Sequence, residues 1–132
     1  MPVRLRLADP VLVSAALARF RGGDSDNTDL RLLTKHLLAL LMAKAPGGAV
    51  EVRVPPYAVA QCVEGTRHTR GTPPAVVEMD AMTWISLATG GLMWHEAERD
   101  ARLVASGERS DLSGLLPLVD GAWRRAANGL IG

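Results

Sequence analysis

The side chains best suited to chemistry are three histidines (His36, His68 and His95), one cysteine (Cys62) and the cationic run Arg67-His68-Thr69-Arg70. A protein zinc site gathers Cys, His or carboxylate ligands, usually with a close spacing that puts two of them on one turn or helix face. Here the histidines fall in three separate segments and no His, Cys or carboxylate pair has that spacing, so no metal is expected. Cys62 would need a neighbouring base such as His68, and a field that lowers its pKa, to act as a nucleophile. It sits instead in an apolar alternation, where a free cysteine usually serves as a small buried hydrophobe. The carboxylates are scattered without an obvious acid/base pair, and the glycine pairs lack the spacing of a phosphate loop or dinucleotide fingerprint. No catalytic residue and no cofactor is therefore expected. An enzyme reading rests only on Cys62, His68 and the adjacent arginines.

The cationic run admits two readings. Arg67, His68 and Arg70 lie on a short piece between Gly65 and Gly71 and can grip an anionic head group through charge-assisted hydrogen bonds. Equally, charges on a hairpin edge discourage edge-to-edge pairing and need no ligand.

These residues need a scaffold, and 132 residues suit one domain with its own core. Hydrophobic residues make up 48% but aromatics only 4%, so aliphatic side chains must fill the interior. A net charge of +1 argues against a nucleic-acid binder. The most apolar stretch, Leu30 to Met42, is short and interrupted by Arg31, Lys35 and His36, so no membrane span is expected. The apolar piece Val11 to Leu17 is too short for a signal peptide and is followed by Arg19 and Arg21, which predicts a cytoplasmic protein. A lone cysteine agrees with a reducing compartment.

Val3, Leu5 and Leu7 alternate with Arg4 and Arg6, giving a short strand or extended arm. Asp9-Pro10 starts a helix to about Phe20, and the polar residues 22–27 form a flexible loop. Thr28 or Asp29 can cap a second helix, whose Leu30, Leu33, Leu37, Leu40 and Leu41 share one face; Leu32 and Met42 lie off it and suggest a second contact. Alternation at Val50, Val52 and Val54 marks a strand, with further strands over Tyr57–Val63, Thr66–Arg70 and Ala75–Met79 and tight Gly/Pro turns between, as in an antiparallel meander. Asp80 caps a helix in which Met79 and Trp84 can staple, and Gly90-Gly91 ends it. A helix from Trp94 to Ala101, a strand from Leu103 to Ser106, and a closing helix or turn through Leu112, Leu115 and Leu116 complete the pattern.

The ordered set Asp80, Trp84, Leu87, Thr89-Gly90, Leu92, Ala97, Leu103, Ser106-Gly107 and the Leu-rich end to Leu118 resembles the sterol carrier protein family. Glu51-Val52-Arg53-Val54-Pro55-Pro56 and Arg67-His68-Thr69-Arg70-Gly71 resemble a stand-alone actinobacterial branch of it. The resemblance implies an α+β two-layer fold: a mostly antiparallel five-stranded sheet covered on one face by helices, with an apolar tunnel between the layers that takes fatty acyl, sterol-like or isoprenoid ligands. Two departures stand out. Glu98 and Arg99 occupy positions where lipid-binding members carry bulky apolar residues, and Ala101 stands where glycine is usual.

From this follows the expectation of a non-catalytic carrier of an apolar small molecule or lipid. Its pocket would be lined by Trp84, Leu87, Leu92, Trp94, Leu103, Leu112, Leu115 and Leu116, because ligand pockets are mainly apolar with a few orienting polar groups. Trp84 is expected in the core and Trp94 nearer a cavity rim. The rival is a ligand-free interaction module or homodimer, its surface supplied by Leu32, Met42 and the N-terminal arm, accessory to a mycothiol-dependent enzyme.

Overall fold

The computed structural model describes residues 5–65 and 75–119. In chain order these form α1 (Pro10–Arg21), α2 (Asn27–Lys44), β1 (Val50–Val54), β2 (Ala58–Cys62), β3 (Ala75–Met79), α3 (Ala81–Ala88), α4 (Trp94–Arg99) and β4 (Leu103–Ser106), then a single 3-10 turn at Ser113–Leu115.

Each helix start has a visible cause. Asp9 accepts a hydrogen bond from the Val11 amide ahead of Pro10. Asp80 does the same for Thr83 at 2.7 Å, as the sequence predicts. The cap of α2 is Asp26 rather than Thr28 or Asp29. Asp26 accepts from the Asp29 amide while the Asp29 carboxylate accepts from the Asp26 amide, a reciprocal capping box that only this register permits. Asp29 is also held by the Arg19 guanidinium through two bonds of 2.7 and 2.8 Å, which ties α1 to α2 and keeps the Asp29 carboxyl below its usual range. The expected loop is a turn over residues 22–26.

The sheet order is β2-β1-β3-β4. β1 pairs antiparallel with β2 and parallel with β3, and β3 pairs antiparallel with β4. The expected antiparallel meander is thus corrected at its centre: β3 adds to the free edge of β1, not to β2. A strand has two edges, and alternation reports which face is buried but not which edge is taken. β2 returns the chain to the start of β1, and β3 begins beside that same end, Ala75 opposite Val50, and so runs parallel to β1. The described residues hold four strands; the fifth expected strand, Thr66–Arg70, lies outside them, as do Val3 and Arg4. Residues 5–9 belong to no strand, so the described part of the arm does not take the strand form of the two expected.

Alternation fixes the buried face. Val50, Val52, Val54, Ala60, Cys62, Ala75, Val77, Met79 and Leu103 point inward and are buried. Arg53, Val59, Gln61, Glu78 and Val104 are exposed on the other face. The inward residues meet Leu33, Leu37, Leu38 and Leu41 of α2 and Trp84, Ile85, Leu87 and Ala88 of α3 in one aliphatic core. Burying each Val, Leu, Ile or Met among them contributes about 1.5–3 kcal/mol. Leu38, off the predicted stripe, is as buried as Leu37, because α2 is covered both by the sheet and by its neighbouring helices. The Trp84 indole donates to the Thr34 carbonyl at 3.3 Å across the α2–α3 contact.

Three helices end in the same Schellman arrangement. At α3, Gly90 donates to the Leu87 carbonyl and Gly91 to that of Ser86; at α4, Ala101 donates to Glu98 and Arg102 to Ala97. The motif needs a left-handed residue at its corner, and Gly90 (φ 83°) supplies it at α3 while Ala101 (φ 56°) must do so at α4. The same geometry closes α1 at Gly23.

Candidate functional site

Beyond α3 the chain turns back over the open end of the core. Gly91 and Leu92 both donate to the Ser86 carbonyl, swinging the chain into α4, and the Glu96 carboxylate accepts from the Met93 amide at the start of that helix. Further on, the Asp111 carboxylate accepts from the Ser113 amide at 2.9 Å, and that bond holds the Asp111 carboxyl below its usual range. The closing segment is then fastened to α3: the Ala88 carbonyl accepts from the amides of Leu118 (2.8 Å) and Val119 (3.3 Å). Of the closing helix or turn expected here the chain makes the turn, one 3-10 turn, since Gly114 lowers helix propensity and Pro117 cannot continue a helix.

Between α3, α4 and the closing segment lies a cleft of about 390 Å³. Leu87, Leu92, Met93, Trp94, Leu116 and Pro117 make it mainly apolar, and His95, Glu98, Asp111 and Ser113 supply polar groups. Trp94 is 6% exposed, and its indole Nε1 has no hydrogen-bond partner among the described residues. A buried donor left unpaired costs about 1–3 kcal/mol. On the other side of the closing segment a second cleft, about 540 Å³, is lined by Lys44, Val63, Glu64, Arg109, Leu112 and Leu115 among others. Asp111 borders both.

The eight residues expected to line one pocket are therefore divided. Leu87, Leu92, Trp94 and Leu116 meet in the first cleft, whereas Leu112 and Leu115 border the second. Trp84 and Leu103 line neither and belong to the packed core. Met93, His95, Asp111, Ser113 and Pro117 were not expected in the cleft. They enter it because the Gly90-Gly91 turn and the cap at Asp111 bring two distant loops together, and no local pattern announces that meeting. Glu98, where the resemblance implies an apolar side chain, puts a carboxylate on the cleft wall, while Arg99 is exposed on α4 and lines neither of these two clefts.

The remaining candidates stay apart from this cleft. Arg67, His68 and Arg70 lie outside the described residues. His36 accepts from the Ala8 amide through Nδ1 at 2.9 Å, and burial lowers its pKa. Cys62 is buried on the inner face of the sheet, where desolvation pushes its thiol up to about 11, opposite to the shift that activates a nucleophile. Among the described residues no three His, Cys, Asp or Glu side chains are placed to hold a metal ion. Nor is any described helix long and apolar enough to cross a membrane.

Against known proteins, no curated protein matches the chain. A family model described as "Bacterial SCP ortholog" matches residues 26–118, from the capping box of α2 to the end of the closing segment, leaving the arm and α1 outside. The chain belongs to this bacterial SCP ortholog family, a sterol-carrier-like family whose match covers every strand described above.

Proposed function

We propose that this protein binds an apolar or lipid-like ligand, such as a fatty acyl, sterol-like or isoprenoid chain, without transforming it. The observation that carries this reading is the apolar cleft beneath the closing segment, whose volume lies within the range of small-molecule sites. Family membership supports the same ligand class. Leu87, Leu92, Trp94 and Leu116 would line the bound chain, and Glu98, His95 and Asp111 would meet a polar end. The test is extraction and mass spectrometry of the purified protein, followed by titration with an environment-sensitive acyl probe. Saturable binding that Leu116→Arg abolishes is the expected result. Absence of copurifying lipid together with non-saturable probe response would refute it.

A second reading draws on the packed interior between sheet and helices, filled by Leu33, Leu37, Leu41, Val52, Val77 and Trp84. Such filling favours a ligand-free interaction module, including a homodimer. Light scattering after size exclusion separates the two: a strict monomer that binds the acyl probe leaves only the carrier.

A further inference from the structure

A third cavity, about 350 Å³, lies away from both clefts, between the arm and the outward face of α2. Thr28, Arg31, Leu32, Lys35 and His36 line one wall. Their spacing of three and four residues makes them one stripe of α2. Leu5, Arg6 and Ala8 of the arm form the other wall, held in place where the Ala8 amide donates to His36 Nδ1. This explains Leu32, which sits off the core-facing stripe: it is half-buried under the arm.

The chemistry of the walls is one-sided. Leu5, Ala8, Leu32 and the aliphatic stems of the long cations provide apolar surface. Arg6, Arg31 and Lys35 bring three positive charges, and no carboxylate lines the cavity. Elsewhere Arg19 pairs with Asp29, Arg53 with Glu51 and Arg99 with Asp100, while Lys44 and Arg109 donate to the backbone carbonyls of Leu115 and Glu64. Arg6, Arg31 and Lys35 form no salt bridge among the described residues. Three like charges around one apolar groove repel one another unless an anion joins them.

We propose that this groove is a second ligand site, for a single-chain amphiphile with an anionic head: a medium-chain fatty carboxylate. The head group is taken by Arg6, Arg31 and Lys35 through charge-assisted hydrogen bonds, and the tail lies against Leu5, Ala8 and Leu32. The site is independent of the cleft beneath the closing segment, and its arm wall lies outside the residues matched by the family.

The test is nitrogen-15 chemical-shift mapping of the intact chain with decanoate below its micelle concentration, with decanol (tail without charge) and acetate (charge without tail) as controls. Saturable shifts at residues 5–8 and 28–36 are expected with decanoate alone, distinct from any shifts at residues 87–117 that the cleft beneath the closing segment gives. Arg31→Ala with Lys35→Ala, both surface changes, should weaken decanoate binding by about tenfold or more. Leu116→Arg should leave these shifts unchanged, which separates this site from the cleft. Shifts only around residues 87–117, no shifts at all, equal effects of acetate or decanol at residues 5–8 and 28–36, or full affinity at those residues in the double variant would each overturn the proposal.

Discussion

α3 and α4 follow one another in sequence, flank the same cleft and close with the same backbone motif, yet they are built to different standards. α3 is capped by the Asp80 side chain, buries Trp84, Ile85, Leu87 and Ala88 almost completely, and turns at Gly90. α4 has six residues, buries only Trp94 and Ala97, and turns at Ala101 in the left-handed region. An L-residue with a Cβ costs roughly 1–2 kcal/mol in that region. The contrast assigns roles: α3 is the anchor of the fold, and α4 is a marginally held wall of the cleft. A wall of low local stability opens at low free-energy cost, which is where ligand entry is usually found.

The comparison can be broken at its strong end first. Trp84→Ala should cost about 3–5 kcal/mol in urea unfolding, because it empties the core centre and removes the indole hydrogen bond that joins α3 to the Thr34 carbonyl of α2. A cost under about 1 kcal/mol would show that α3 is not the anchor. Next, Gly90→Ala should cost about 1–2 kcal/mol from the backbone alone. A Cβ there would lie 3.7 Å from Pro117, an ordinary contact, so no clash confuses the reading. The mirror change is smallest and opposite in sign: Ala101→Gly should stabilise by up to about 1 kcal/mol. Faster amide exchange in α4 than in α3 should narrow in that variant; destabilisation instead would mean that Ala101 gains more from its Cβ than the left-handed backbone costs.

Much of this contrast can be read from the sequence. Asp80 ahead of an apolar run and Gly90 after it specify both ends of α3, and Val50, Val52 and Val54 specify a half-buried strand. Ala101 was legible only by resemblance, as the place where glycine is usual; its left-handed backbone is the physical reason. The partner of β3 was not legible, because periodicity encodes a buried face and carries no record of which neighbour supplies the hydrogen bonds. The cleft was half legible for a related reason. Leu87 lines a cavity and Leu103 fills a core, yet both read as apolar positions beside a turn. The cap of α2 was missed because Asp26, Thr28 and Asp29 are all competent acceptors, and the choice falls to the register that also lets Asp29 meet Arg19.

The parallel pair at the centre of the sheet also has a consequence in time. β1 and β2 meet through a three-residue turn, Val54 opposite Ala58, so that hairpin can form as soon as it leaves the ribosome. The other edge of β1 must wait for β3, whose Ala75 pairs with Val50, and β3 in turn waits for β4, whose Ser106 pairs with Val76. During synthesis, then, the strand at the middle of the finished sheet spends an interval as an open edge, the period in which a nascent chain most needs shielding from its neighbours.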